Sequence, residues 1–457
     1  MRYPFNLISE TVISNWSLTE NTPYEIKTID AVELLCPERI DLAAKLAYIE
    51  ARETGIDMSF AKEVYRKHIE AFSEGSFSEP GDENKTSLDQ YYSVFDELID
   101  DFKISGFDKA KSLVPVGKNG IILDGAHRVA CAIYFRIPVT VIEFQNASVD
   151  FDYNYFRGRR LSEEMLRYMT VVYCRYAARN LYCACLWPVS DQSRRPDAIE
   201  LIRRENRIVY DASVSLGRDG MHNFMLQIYR HQDWVGDPEN HFSGVNGKVD
   251  ACFAPGVDTG VVVFEGGGLN EVLKLKEKIR EVFGLGKHAI HISDSNNETR
   301  LMAELLLNDN SLHALNYGHP DSDPEAYLLL REMTEAEAPG PTATLLVYGI
   351  GKNAVLSAEP HFDVCNPRTY FVYENRRLPA LREMIRCIPK ESAAYSEANE
   401  LIRKGSAGKT VRRIAEDART KFVWFSKKKI LRFKQIAMAV TTKIGVYEIL
   451  HNLRKRK

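Results

Sequence analysis

No stretch of this chain approaches the roughly 18 to 20 consecutive apolar residues that span a bilayer. Met1 to Glu20 also lacks a charged start followed by an unbroken apolar core, so no secretory leader is expected. Excess charge of either sign is missing: the net charge is -3, which excludes a general polyanion binder and leaves any basic surface local. Paired cysteines are scarce. The eight thiols, at 36, 131, 174, 183, 185, 252, 365 and 387, are scattered through apolar patterns. Cys183-Ala184-Cys185 is the one close pair, and no second pair or histidine cluster completes a zinc-type set. Reduced, mostly buried thiols of a cytoplasmic protein follow, with no metal expected. No repeat of fixed period occurs.

What is present is ordinary globular material, 45% hydrophobic and 27% charged over 457 residues, enough for two or three domains. Residues 1–150 read as a mixed α/β domain. An extended start runs from Ile26 to Leu35, and a helix from Arg39 to Glu53 carries Ile40, Ala44, Ala47 and Tyr48 at helical spacing. Ser73 to Thr86 reads as a loop and Tyr91 to Lys103 as a second helix. Short strands at Leu113 to Val116 and Gly120 to Leu123 flank Lys118-Asn119-Gly120, a hairpin turn signal. A helix over 127–135 and a strand from Val139 to Phe144 complete the segment.

Residues 151–320 form a second α/β domain, suited to substrate recognition, in which helical and strand patterns alternate. The strands fall at Leu181 to Trp187, Arg207 to Ser213, Val261 to Phe264 and His288 to Ser293. That succession predicts an α/β sandwich with partly parallel pairing. Asp321 to Pro341, rich in Pro, Glu, Asp and Gly, opens a small α+β unit over 321–420, with a strand at 344–348 and a helix at 379–387. A basic amphipathic tail, 421–457, ends the chain.

The densest chemistry lies in residues 120–130, Gly-Ile-Ile-Leu-Asp-Gly-Ala-His-Arg-Val-Ala. An apolar run stops at Asp124-Gly125, and Ala126, His127 and Arg128 then open an amphipathic helix. Such a helix start, with unpaired N–H groups and an adjacent Arg, suits an anion, in a cytosolic protein usually a phosphate. Arg128 would clamp it bidentately, and the N–H groups of Gly125 to His127 would hold a neighbouring oxygen. Asp124 would orient Mg²⁺ or a hydroxyl awaiting phosphorylation. A structural reading stands beside this one: Asp124 caps the helix, Gly125 turns the chain, and Arg128 pairs with a surface acid. Upstream, in Glu38-Arg39-Ile40-Asp41-x3-Lys45, Asp41 and Lys45 form an (i, i+4) pair, whereas Arg39 and Asp41 fall on different helix faces.

The strand–Asp124-Gly125-x-His127-Arg128–helix element, with Ala130 behind it and the strand Val139 to Ile142 after it, resembles the ParB/sulfiredoxin fold over about a third of the chain. The resemblance implies nucleotide binding. In that superfamily the corresponding loop holds nucleotide phosphates, in partition proteins that hydrolyse CTP, in sulfiredoxin that spends ATP, and in free-serine kinases. It further implies a second phosphate contact from the helix of Arg39 and Lys45, and a catalytic base at Glu38 by analogy with the kinases. The chain departs from partition proteins, since no helix-turn-helix or basic reading segment follows at 150–250, so no nucleic-acid partner is expected. It departs from sulfiredoxin in having Ala126 immediately before His127, which disfavours thiol chemistry.

Further on, His291, Asp294 and Glu298 bracket a strand end, where α/β proteins place ligands. Ser295 or Asn296 with Glu298 would equally cap the next helix, and both readings stay open. Gly266-Gly267-Gly268 lacks the Gly-Lys-Ser/Thr ending of a P-loop. Leu186-Trp187-Pro188, Ile228-Tyr229 and Lys276 through Ile292 into Glu298-Thr299 give residues 155–320 a resemblance to bacterial proteins encoded with surface-polysaccharide enzymes. In the third unit Tyr348-Gly349-Ile350 and His361-Phe362-Asp363 resemble a nucleotidyltransferase layout. Glu359 and Asp363 nevertheless miss the Asp-x-Asp spacing that two metal ions require. The tail carries eleven Lys/Arg against one acid, Glu448, interleaved with Phe and Ile. It suits either peripheral contact with an anionic membrane or a packed helix with a solvated basic face.

These readings predict a cytoplasmic ATP-dependent phosphotransferase, with ATP (or CTP) and Mg²⁺ as cofactors and a small hydroxylated molecule or sugar as acceptor, in surface-glycan biosynthesis. A non-catalytic nucleotide-binding switch is the alternative, and a ParB-type nucleic-acid protein is disfavoured.

Overall fold

The computed structural model describes residues 3–54, 58–78, 85–229, 232–236, 240, 242–308, 311–312, 315–316, 346–348 and 355–357. They form a mixed helix-and-sheet protein with two principal small sheets. The first sheet has the order β1-β3-β2, from β1 (Glu25–Asp30), β2 (Val114–Val116) and β3 (Pro138–Glu143). β1 runs antiparallel to β3, with Thr28 opposite Thr140, and β2 runs parallel to it, with Val114 opposite Val141.

Four helices cover this sheet: α1 (Asp41–Thr54), α2 (Met58–Phe72), α3 (Leu88–Ser105) and α4 (Ala126–Phe135). Helix α1 is rich in Ala and Leu, strong helix formers, and is buried along most of its length. Helix α3 starts where Ser87 Oγ accepts the Gln90 N–H and stops at Gly106, whose φ of 70° a side chain would resist. Helix α2 was not legible in the sequence, although Val64, Tyr65 and Ile69 share its buried stripe.

Helix α4 is the crossover between the parallel strands β2 and β3, so its start lies beyond the carboxyl end of β2. The expected hairpin ahead of it contracts to a single antiparallel bridge, Val116 to Ile122. Its turn keeps the Asn-Gly signature, with Asn119 at φ 64° and Gly120 at φ 74°. Lys118 N–H donates to the Ala147 carbonyl at 2.8 Å, which ties the turn to the chain after β3.

The second sheet has the order β5-β6-β4-β7, from β4 (Leu181–Leu186), β5 (Arg207–Val214), β6 (Thr259–Glu265) and β7 (Ile290–Ile292). The expectation of partly parallel pairing fails here: every hydrogen-bonded pair in this sheet is antiparallel. The reason is topological. Two strand–helix–strand units, β4-α6-β5 and β6-α9-β7, each leave a gap one strand wide between their parallel strands, and each fills the other's gap. The connecting helices α6 (Arg195–Glu205) and α9 (Leu269–Phe283) pack on one face through Ala198, Ile202, Val272, Leu275 and Ile279. Helices α5 (Glu163–Tyr176), α7 (Arg218–Tyr229), α8 (Ser243–Cys252) and α10 (Asn296–Leu306) belong to the opposite side of the second half.

One apolar cluster runs without a break from Ile40, Val129 and Val141 through Met169 and Tyr173 to Trp187 and Val263. Within it Arg175 on α5 joins Glu50 on α1 at 3.4 Å and Glu304 on α10 at 2.8 Å. The six described cysteines are all buried and unbridged. Among the described residues no helix is long and apolar enough to cross a membrane. Beyond residue 316 only β8 (Leu346–Tyr348) and its antiparallel partner β9 (Val355–Ser357) are described. The helix at 379–387, the Glu359/Asp363 pair and the basic tail 421–457 lie outside the described residues.

Gly117 sets the hairpin at the head of α4. A Cβ there would stand 2.1 Å from the Ala147 carbonyl oxygen, and the backbone cannot yield without breaking the Lys118–Ala147 bond. Gly117→Ala is expected to destabilise the chain by about 1–3 kcal/mol, read as a lowered urea midpoint with unchanged slope.

Candidate functional site

The start of α4 carries the geometry on which the phosphate reading depends. Gly125 occupies the N-cap in the left-handed region, at φ 86° and ψ 23°, and no side chain caps the first turn. The Asp124 carboxylate accepts the Gly125 N–H at 2.6 Å. One turn later the Arg128 guanidinium folds back over the glycine: a Cβ on Gly125 would lie 2.6 Å from its Nη2. Arg128 Nη1 donates to the Leu113 carbonyl at 3.3 Å, and Nη2 stands 3.9 Å from Asp124. Both charged side chains keep part of their surface open, 23% for Arg128 and 31% for Asp124. The loop thus needs glycine twice over, for its backbone conformation and for the room Arg128 takes.

The other residues predicted for this site are placed differently. His127 turns inward from the helix start. Its Nε2 lies 2.8 Å from Tyr65 Oη, and its ring stands edge-on to Phe95 at 4.7 Å. Burial, reinforced by Lys45, holds its pKa well below the usual histidine range, so the ring is neutral. It supplies no charge for a phosphate. Ala126 contributes its half-buried methyl group to the core and only its backbone to the helix start.

Arg39 and Lys45, read as a second phosphate contact, lie beneath the loop. Asp41, 1% exposed, is their shared counter-ion. Arg39 Nε and Nη2 donate to its two oxygens at 2.8 and 2.9 Å, and Lys45 Nζ donates to Oδ2 at 2.8 Å. Arg39 also donates to the Ile122 carbonyl, two residues before Asp124, and its guanidinium stacks over Phe151 at 5.4 Å. The expectation that Arg39 and Asp41 cannot meet assumed both were helical. Helix α1 begins at Asp41, so Arg39 is free of the helical spacing and reaches the carboxylate as a bidentate fork. Burial resists ionisation of Asp41, but Arg39 and Lys45 outweigh it and keep its pKa well below the carboxylate range. Lys45 Nζ also approaches His68 Nε2 at 3.4 Å, and burial with that neighbouring charge keeps His68 neutral.

Glu38, read as a base, is engaged by an arginine of the second sheet. Its carboxylate pairs with Arg207 of β5, which also holds Glu265 at 3.2 Å. The site at α4 therefore assembles Asp124, Gly125 and Arg128 at the surface, supported from below by Arg39, Asp41 and Lys45. Tyr65 and His68, which complete the support, escaped the sequence reading because helix α2 did.

The residues predicted near the end of β7 do come together. His291 Nε2 lies 3.0 Å from Glu298 Oε1, and its Nδ1 lies 3.0 Å from Tyr229 Oη. Burial lowers the His291 pKa. Ser295 Oγ accepts the Glu298 N–H at 3.2 Å, while Glu298 Oε2 accepts the Asp294 N–H at 2.7 Å. That is helix capping, the structural alternative for this motif, with His291 enlisted as a further partner of the capping carboxylate. Asp294 itself is mostly exposed and stands 3.7 Å from Lys276.

A Mg²⁺ ion accompanying nucleotide phosphates takes one or two protein carboxylates and completes its octahedron with phosphate and water oxygens. Asp124 fits that role alone, and among the described residues no cluster of three His, Cys, Asp or Glu offers a fuller cage. No protein-family model, curated protein or solved structure matches this chain.

Two predictions follow from the buried charges. Asp41→Asn would leave two buried cations without their carboxylate, and a loss of about 3–5 kcal/mol is expected in urea denaturation. Three buried histidines, 68, 127 and 291, have lowered pKa values. The unfolded chain binds their protons near pH 6.5, whereas the folded chain binds them only further down. Below that pH the unfolded state holds more protons, so stability falls with acidification. The melting temperature should hold from pH 8 to 7 and drop below about 6.5. His127→Gln should shallow the drop; an unchanged melting temperature down to pH 5 would contradict buried neutral imidazoles.

Proposed function

We propose that the start of α4 is a polyphosphate-binding corner and that the chain binds a nucleotide there. The observation that carries this reading is the Arg128 guanidinium lying over Gly125 at a helix start without a side-chain cap. The helix dipole, first-turn amides and a planar cation then converge on one open corner, an arrangement suited to phosphate oxygens. The corner's place at the carboxyl end of a parallel strand, ahead of its crossover helix, also supports it. The resemblance to the ParB/sulfiredoxin fold points to ATP or CTP as the ligand.

With ATP bound, phosphoryl transfer to a small hydroxylated or sugar acceptor is the reaction this corner supports best. Such transfer depends on alignment and charge neutralisation more than on covalent participation by the protein. Arg128 would neutralise charge on the phosphates, and Asp124 would hold Mg²⁺ or the acceptor hydroxyl. Glu38 is paired with Arg207 and is not assigned a role here. That leaves a single carboxylate at the corner, which favours a second reading, a nucleotide-binding switch that performs no transfer.

Thermal-shift titration of the full chain with ATP and CTP, with and without Mg²⁺, tests binding, and ADP release over a panel of sugars and amino acids separates enzyme from switch. Arg128→Ala should erase the nucleotide-induced shift while changing the stability of the ligand-free chain by about 1 kcal/mol or less. Normal nucleotide binding by that variant would remove Arg128 from the site.

A further inference from the structure

A cavity of about 510 Å³ opens where β4 and β5 finish and α6 begins. Its volume is that of a small-molecule site. Arg195 and Pro196 from the first turn of α6 line it, together with Tyr210 and Asp211 of β5 and Arg157 and Glu163. A register shift between Ile208 and Tyr210 interrupts β5 just before these residues, a local irregularity of the kind that re-aims side chains beside sites.

The charges in this wall, which also includes Arg167, are unequally satisfied. Arg157 donates to Glu163 at 2.6 Å and stands 3.7 Å from Asp211. Tyr210 Oη donates to Glu163 at 2.7 Å, and Tyr153 Oη donates to Asp211 at 2.8 Å. Arg195 differs. It is 9% exposed, yet among the described residues no carboxylate lies within ion-pair distance of it. Its one hydrogen bond runs from Nη2 to the Asp258 carbonyl at 2.6 Å, and its buried Nε has no partner. Burial draws its pKa down, opposed only by the Asp258 carboxylate beyond ion-pair range. The chain enters α6 from a 3-10 turn, Gln192–Arg194, so the Arg195 N–H already meets the Gln192 carbonyl and Pro196 has no N–H; the first-turn acid, Asp197, pairs with Arg194 at 3.8 Å rather than with Arg195.

A buried cation without an anion is costly, and a cavity beside it supplies the place for one. We infer that this cavity binds a phosphate monoester with a hydroxylated body, its oxyanion held by the Arg195 guanidinium. Glu163 and Asp211 each retain acceptor capacity for the ligand's hydroxyls, and Leu186, Ile199 and Val261 provide apolar contact for its carbon frame. The site is separate from the corner at Asp124 to Arg128 and does not depend on nucleotide binding there.

Calorimetric titration of the full chain with inorganic phosphate, glycerol 3-phosphate, glucose 6-phosphate and neutral glucose tests the inference. At least one phosphate ester should bind more tightly than inorganic phosphate, and glucose should not bind. Arg195→Met should weaken that ester on the order of a hundredfold, while leaving the melting temperature of the ligand-free chain equal or higher, because an uncompensated charge has been removed. Arg195→Lys, which keeps the charge but loses the planar fork, should fall between the two. Absence of binding by all three phosphates to the unaltered chain overturns the inference. So does unchanged ester binding in Arg195→Met, or a marked fall in its melting temperature, which would make Arg195 a structural residue.

Discussion

The buried carboxylate of Asp41 is the contact on which the first half of the molecule depends. It neutralises Arg39 before α1 and Lys45 within it, and through Arg39 it fixes the Ile122 carbonyl just ahead of Asp124. Lys45 carries the network on to His68 on α2. One side chain thus couples two helices to the loop at the head of a third. A buried ion pair is seldom a net gain over a well-packed apolar cluster, because desolvation of both charges opposes it. What this cluster provides is a fixed position for a loop with little packing of its own. Surface residues at 124–128 can present charge because the chain beneath them is anchored by charge already neutralised.

The same economy of position recurs in the second half. The two strand–helix–strand units interleave, so β4 and β5 end at the same edge of the sheet, one strand apart with β6 between them. Helix α6 starts at that end, just as α4 starts at the end of β2. Each helix follows the carboxyl end of a strand and has an arginine in its first turn, but α4 opens on Gly125 whereas α6 continues a 3-10 turn, Gln192–Arg194, capped by Asp191. In the first, glycine makes room for the guanidinium; in the second, a cavity does.

Much of the element order was legible in the sequence. The Asn-Gly turn, the α4 start and the strands at 181, 207 and 259 follow from local pattern, because turn chemistry and apolar periodicity act over a few residues. What escaped depends on partners distant in sequence. Antiparallel pairing in the second sheet comes from which unit fills which gap, and a strand–helix–strand succession is identical in either arrangement. Glu38 reads as a base by analogy with kinases, and nothing near it in sequence announces its pairing with Arg207, 169 residues on. That the His127 ring turns inward could not be read locally, because Tyr65 and Phe95, on helices α2 and α3, set it. The motif at His291 to Glu298 was read with both possibilities open, and its hydrogen bonds are those of a capped helix.

Three buried arginines show how function can be separated from support when the side-chain type alone cannot do it. Arg39 finds both oxygens of Asp41, and Arg175 finds Glu50 and Glu304. Each is satisfied by carboxylates the fold brings to it, and each joins elements far apart in the chain. Arg195 joins its helix only to a backbone carbonyl, borders open volume, and keeps a buried N–H without an acceptor. A guanidinium buried for architecture has no reason to forgo a counter-ion, since desolvation then goes uncompensated. A guanidinium without a counter-ion keeps its fork open to an anion from outside. The unequal pairing of these three side chains, more than their burial or charge, sets Arg195 apart from the two that hold the fold.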